Sequence, residues 1–402
     1  MSKNEKLLVI VNATYFIAAT MSAVFVNVYL YAFTGSIYSM TMYAMVRFTM
    51  IPLGFYLGGI LSRKVSLSTI LSVGLLIIIS SFAFLLGFNH LFYENYYLIF
   101  VVGLVLGSGE GLYWFSINSL NLQSSSKETR ATFISTMAIF NSASTVIAPF
   151  VATMIVRFSS TDAVGYIRIF QVVIVLQIIA ALISRRVENV YVNKPYTIFD
   201  KLNLKHDVQW RYVMISHFFF GIRDSLLIVL TSILIYNATG GSGSLYGDLL
   251  TGFALLNLIA NFAARKMIRR DNRLMMYTYG AFFLFTSTMV LVLSPNIIGA
   301  VYFGLVNAVG NPFVVNTFNI IMMNALQDYI EEENIFGRII AKEITLNGGR
   351  LIGMASILVF ATFIPEPYSL IVAVTFCSSF ALVIVVYARK YHKKRELIRR
   401  GK

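Results

Sequence analysis

Long apolar stretches separated by short polar segments recur twelve times along the chain, six on each side of a charged central segment. Each stretch has roughly 18–28 residues, and a helix that crosses a bilayer needs about 20. The pattern predicts an all-helical membrane protein. The predicted spans are 7–33, 38–61, 66–88, 95–120, 131–157, 165–184, 210–236, 245–264, 274–294, 297–325, 337–363 and 367–388.

Basic residues concentrate in alternate polar segments, for example at Arg63 and Lys64, at Lys127 and Arg130, and throughout 389–402. The intervening loops are nearly uncharged. This alternation follows the positive-inside rule and predicts that both termini and the central segment lie in the cytoplasm. The net charge of +14 therefore indicates topology, and we expect no nucleic-acid partner. The basic tail also suits contact with anionic membrane lipids.

The composition excludes most other classes of protein. Hydrophobic residues make up 57% of the chain and charged residues 12%, which is too apolar for a soluble domain. Cys377 is the single cysteine, so zinc sites built from several thiolates are excluded. The sequence has no glycine-rich phosphate loop with lysine and no His-Glu-x-x-His motif. We therefore expect that the protein is not an enzyme and holds no cofactor or metal. We expect a multi-pass protein of the cell membrane that acts as a monomer.

The two halves share short sequence matches at corresponding spans. Gly103-Leu-Val105 recurs as Gly304-Leu-Val306, and Ser62-Arg-Lys64 resembles Ala264-Arg-Lys266. Repeated halves place a substrate site near the midplane between them. The predicted organisation is an N-terminal six-helix bundle (1–184), a cytoplasmic linker (185–209), a C-terminal six-helix bundle (210–388) and a basic tail (389–402). The linker suits either a short surface helix or a plain connection.

Two local motifs accompany this six-plus-six pattern. Gly58-Gly-Ile-Leu-Ser62-Arg63-Lys64 follows the second span, and Ser144-Thr-Val-Ile-Ala148-Pro149 lies in the fifth. With these motifs the whole chain resembles the major facilitator superfamily, although Ser62 replaces the usual acid of the first motif. The resemblance implies a secondary transporter with alternating access. Many exporters of the family carry a Gly-Pro motif in the fifth span; here Pro149 is kept and small residues replace the glycines, so the segment suits either an exporter or an ordinary packed helix with a proline.

Five charged residues lie far from the ends of their spans, where a charge costs about 3 kcal/mol on insertion scales. They are Arg47, Glu110, Arg223, Asp224 and Arg350. Arginine keeps its proton, so each of the three requires an anion. The two acids can neutralise two of them, which leaves one positive charge for an anionic solute. The alternative is a set of structural ion pairs.

Further candidate residues for solute binding are polar or aromatic. Trp114 and Asn118 share a helical face with Glu110, and the tenth span carries Asn307, Asn311 and Asn319 around Pro312. The amides suit hydrogen bonds to a solute and equally suit bonds between helices. On the cytoplasmic side, Arg63 and Lys64 of one half and Glu331 and Glu332 of the other are candidates for a gate, or else ordinary solvated charges.

The sequence thus predicts proton-coupled export (antiport) of a small anionic or zwitterionic organic solute. Glu110 is the first candidate for the proton-carrying acid and Asp224 the second. One alternative is multidrug efflux of cationic amphiphiles, with the two acids attracting the cation. An alternative of another class is a membrane sensor or assembly factor that transports nothing.

Overall fold

A computed structural model describes residues 1–124, 129–192, 207–269, 271–327, 335–365 and 368–399. These residues form twelve long helices, each long and apolar enough to cross a membrane, and no strand. The predicted all-helical fold with twelve spans is therefore confirmed. A single helical turn, Leu91–Glu94, precedes the fourth span. In chain order the long helices are α1 (Lys3–Thr34), α2 (Ile37–Leu61), α3 (Leu67–Gly87), α4 (Leu98–Ser124), α5 (Arg130–Arg157), α6 (Asp162–Ser184), α7 (Val208–Ala238), α8 (Gly243–Met267), α9 (Arg273–Leu293), α10 (Ile297–Gln327), α11 (Ile335–Phe363) and α12 (Tyr368–Arg399).

Capping residues set several of the helix boundaries. Ser36 and Ser66 accept hydrogen bonds from backbone N–H groups three residues on, at the starts of α2 and α3. Gly35 ends α1 in the left-handed conformation (φ +59°). Glycine adopts this conformation at the lowest energetic cost because it has no Cβ. The last helix continues from the predicted end at residue 388 to Arg399, and Tyr391 is buried within that extension.

The outer faces of the helices are apolar and exposed, as a lipid environment requires. Leu182, Ile259, Ile298 and Phe363 are each 60% or more exposed. A soluble protein rarely exposes such apolar area. In a bilayer these side chains face acyl chains, while the helical backbone satisfies its own hydrogen bonds.

The helix contacts divide the chain into two compact units. The first contains Met1–Asn193 together with Ser242–Thr251, and the second contains Lys194–Gly241 and Gly252–Lys402. Within the first unit, α1 packs on α5 and α6, α3 packs on α4 and α6, and α2 packs on α4. The start of α8 joins this unit: the Tyr246 hydroxyl donates to the Val24 carbonyl (3.2 Å), and Arg157 pairs with Asp248 at 2.5 Å.

The second unit repeats most of this packing. There α7 packs on α11 and α12, and α9 packs on α10 and α12. These pairs correspond to those that α1 and α3 make in the first unit. The exception is α8 with α10, which approach each other less closely than α2 approaches α4.

The beginning of the central segment lies against the first unit in non-helical conformation. The Leu67 amide donates to the Val190 carbonyl, and the Val192 amide donates to the Ser62 carbonyl. Asn189 accepts from the hydroxyls of Ser66 and Ser68 at 3.0 and 2.7 Å. The predicted linker 185–209 therefore begins as a docked extended segment, and its residues 193–206 lie outside the described part of the chain.

Orientation remains a prediction of the basic loops, and cysteine labelling tests it. Pro365 and Asn296 are exposed next to helix ends that carry no basic residues. Lys266 is exposed at a helix end that is rich in basic residues. We expect a cysteine at Pro365 or Asn296 to react with an impermeant thiol reagent in intact cells. A cysteine at Lys266 should react only after the membrane is opened. The reverse pattern would place both termini outside.

Candidate functional site

Glycines bring α2 and α4 into backbone contact around the mid-membrane charges of the first unit. A Cβ atom added to Gly107 would meet the Arg47 carbonyl, and one on Gly111 would meet the backbone of Ile51 and Gly54. Gly109 faces the other way and lies against Gly74 of α3. The glycines that flank Glu110 therefore admit neighbouring helices, which fixes the carboxyl group between them.

Glu110 and Arg47 form a bidentate ion pair in this narrow space. Arg47 Nε donates to Glu110 Oε2 at 2.8 Å, and Arg47 Nη2 donates to Glu110 Oε1 at 2.6 Å. Glu110 is buried and the Arg47 side chain is largely buried. Both carboxylate oxygens are thus occupied by one guanidinium, the strongest geometry for such a pair. A proton on Glu110 would remove the negative charge that holds Arg47 and would therefore weaken the pair.

Aromatic rings pack beside this pair. Tyr15 of α1 stacks on Tyr113 of α4 with centroids 3.5 Å apart, and the Trp114 ring meets Tyr15 and Phe16 edge to face at 5.7 and 5.8 Å. Trp114 is half-buried, and so is Asn118 one turn further along the same face. The predicted face of Glu110, Trp114 and Asn118 therefore combines an ion pair, an aromatic surface and an amide.

The second unit holds its own ion pair between α7 and α11. Arg350 donates from Nε and Nη2 to Asp224 Oδ2 at 2.9 and 2.7 Å, and from Nη1 to Asn347 Oδ1 at 3.1 Å. Gly221 and Gly349 bring the two helices close, since a Cβ on either would meet the backbone of the other helix. The arrangement resembles that of Arg47 and Glu110: glycine packing surrounds one arginine and one acid.

Arg223 is the mid-membrane arginine without such a partner. It lies halfway along α7 and is 4% exposed. Among the residues that the structure describes, it makes no hydrogen bond or salt bridge, and its guanidinium carbon lies 5.9 Å from the centroid of the Phe220 ring. Its neighbour Asp224 faces Arg350 instead. Of the three mid-helix arginines, Arg223 is therefore the one without a salt bridge in the described part of the chain. Its role in binding a solute remains a prediction.

The amides of α10 have different environments. Asn307 has a buried Nδ2 without a hydrogen-bond partner among the described residues, Asn311 is half-buried and Asn319 is exposed. Asn316 instead donates to Asn261 Oδ1 of α8 at 2.9 Å. Asn307, Asn311 and Asn319 thus remain candidates for solute binding, whereas Asn316 links two helices.

The predicted gate is only partly described. Arg63 and Lys64 are exposed at the turn after α2. Glu331 and Glu332 lie outside the described residues, so the pairing of these charges stays a prediction. His217, a further buried polar group, bonds through Nδ1 to the Val213 carbonyl (3.1 Å) and packs on Phe318. That environment is typical of a structural histidine.

Sequence reasoning missed two polar residues on α8. Asn257 Nδ2 donates to the Ala308 carbonyl of α10 at 3.1 Å, and Asn261 Nδ2 donates to Asn257 Oδ1 at 2.9 Å. Their spacing of one turn in an apolar span was a usable signal. It gained meaning only with the packing of α8 beside Pro312, which the sequence alone does not give.

Comparisons with known proteins agree with this architecture. The sequence profile of the Major Facilitator Superfamily matches residues 7–328. A protein of uncharacterised function from Bacillus subtilis (strain 168), YqgE, is 25% identical over 373 residues, which is 91% of this chain and 84% of the relative.

Two solved structures share the fold at low identity. The nucleoside transporter NupG superposes with a TM-score of 0.72 at 11% identity, covering 98% of this chain and 100% of that one. A bacterial homologue of the iron transporter ferroportin in an inward-facing state gives 0.67 at 15% identity, covering 97% and 99%. Because the family profile spans most of the sequence and the fold agrees, this chain belongs to the Major Facilitator Superfamily and is a secondary transporter by fold.

Proposed function

We propose that this transporter exports a small anionic or zwitterionic organic solute across the cell membrane in exchange for protons. The observation that carries the proposal is Arg223, a buried guanidinium in the middle of α7 without an ion-pair partner among the described residues. An uncompensated charge at this depth is costly. A solute carboxylate would supply the missing anion and form charge-assisted hydrogen bonds with it.

The proton site in this proposal is Glu110. Its carboxylate is buried in the first unit and is held by Arg47 alone among the described side chains that hydrogen-bond to it. Protonation would weaken that pair and release the guanidinium, which changes the charge balance within the unit. By linkage, a proton that alters the preferred state of the transporter alters solute binding reciprocally.

One observation favours a second candidate, the efflux of organic cations. Trp114 and Phe16 are half-buried aromatic residues, and Trp114 lies one turn from Glu110. Aromatic faces near a carboxylate attract cations. Against this candidate, Arg47 already occupies both oxygens of that carboxylate.

A vesicle screen distinguishes these candidates. Purified protein in liposomes with an internal pH indicator would receive an imposed pH gradient, followed by one solute of each class: dicarboxylates, amino acids, quaternary amines, and an uncharged nucleoside. We expect anionic or zwitterionic solutes to exchange for protons. Proton movement with the quaternary amines alone would establish the cation candidate, and movement with the nucleoside alone would reject a charge-reading site.

A further inference from the structure

Pro312 leaves an unpaired acceptor in the middle of α10. Proline has no backbone N–H, so it cannot bond to the carbonyl four residues earlier, which here belongs to Ala308. Ala308 is buried, and an unpaired buried carbonyl is costly. The helix nevertheless continues from Ile297 to Gln327.

Asn257 of α8 supplies the missing donor. Its Nδ2 lies 3.1 Å from the Ala308 oxygen, the place that the proline N–H leaves empty. Asn261, one turn along α8, donates to Asn257 and accepts from Asn316 Nδ2 at 2.9 Å. Ala308 and Asn316 lie four residues before and four residues after Pro312, so α8 holds α10 on both sides of the interruption.

The remaining contact between these two helices depends on side chains. The Phe253 ring covers Gly304, where an added Cβ would collide with it. By contrast, α2 and α4 meet backbone to backbone through glycines. On the side of α10 that faces α8, the contact near Pro312 therefore depends on two asparagines more than on close backbone packing, whereas α9 packs closely on α10 through Gly280 and Gly310.

We propose that Asn257 and Asn261 are positioning residues that fix the direction of α10 on either side of Pro312. They thereby determine where Asn307 and Asn311, on the turn before the proline, direct their amides. The inference about these two amides rests on the proposed solute site, but the positioning of α10 does not. A bend change of 10° would displace Ile298 by roughly 4 Å, because 14 residues of helix span about 21 Å.

Distance measurements between spin labels on the full-length protein test the proposal. Labels at Ile298→Cys and Phe363→Cys report the exposed ends of α10 and α11. We expect Asn257→Leu to shift this distance, or to broaden its distribution, by roughly 4 Å. Asn257→Gln keeps a hydrogen-bond donor and should cause a smaller change. The distance between control labels at Leu293→Cys and Phe363→Cys should stay unchanged in these variants. The distance between the first pair of labels should also stay unchanged in Thr251→Val, because the Thr251 hydroxyl bonds to Gly247 of its own helix.

A second substitution separates positioning from general damage to the fold. Pro312→Ala restores an N–H that can bond to the Ala308 carbonyl, so Asn257→Leu should have little effect on the distance in that background. An equal shift in both backgrounds, or an unchanged distance in Asn257→Leu alone, would overturn the proposal. This measurement needs no solute, so it stands even if the vesicle screen rejects an anionic substrate.

Discussion

Replacing Arg223 with glutamine is expected to weaken binding of an anionic solute by about 1–3 kcal/mol, roughly 5- to 150-fold in affinity. The reason is that Arg223 forms no ion pair with the described residues, so its charge remains available to a solute. The protein should stay folded, because the substitution removes a buried uncompensated charge. Uptake into liposomes as a function of solute concentration measures the effect.

The matched control for this prediction is Arg350→Gln. Arg350 is committed to Asp224 and Asn347, so its loss strands a carboxylate inside the second unit. Breaking a buried pair in this way costs about 3–5 kcal/mol in soluble proteins. We therefore expect Arg350→Gln to lower thermal stability in detergent. Adding Asp224→Asn to that variant should recover part of the lost stability. Equal solute affinity in Arg223→Gln and the unmodified protein would show that the site does not recognise an anion at Arg223.

The spans could be predicted from the sequence because hydrophobicity over 20 residues is a local property. The extension of α12 to Arg399 could not, because it depends on the burial of Tyr391 against the rest of the second unit. Counting mid-helix charges predicted one arginine in excess. It did not predict which arginine, because Asp224 of α7 is adjacent to Arg223 in sequence yet pairs with Arg350 of α11.

The polar contacts of α10 illustrate a different limit. Pro312 identifies the residue whose carbonyl loses its donor, but nothing local to α10 names the replacement. Asn257 could be assigned only once α8 was placed beside Ala308. Likewise, the asparagines of α10 are similar in sequence, but their partners differ: Asn316 bonds to Asn261, while the buried Nδ2 of Asn307 has no partner within the described chain.

Replacing Glu110 with glutamine is expected to abolish accumulation driven by a pH gradient while preserving exchange of solute for solute. Glutamine retains an oxygen that can accept one bond from Arg47, but it cannot gain or lose a proton. At one proton per solute, a gradient of one pH unit is worth about 1.4 kcal/mol, or a tenfold concentration ratio. We expect this ratio to fall to unity in Glu110→Gln. Parallel assays of driven accumulation and counterflow in liposomes measure the two quantities.

Asp224→Asn is the matched control, because Asp224 is the other mid-membrane acid and also pairs with an arginine. In folded protein, that variant should retain the tenfold ratio. If Glu110→Gln still concentrates solute and Asp224→Asn does not, the proton site lies on α7 and the Arg47–Glu110 pair is structural. If counterflow is lost together with accumulation in Glu110→Gln, the carboxylate contributes to solute binding or to folding, and the thermal stability of the variant decides which. The bidentate geometry favours the loss of driven accumulation in Glu110→Gln: a proton on Glu110 would remove the charge that holds Arg47 at 2.6 and 2.8 Å, so proton binding and the weakening of this ion pair are coupled.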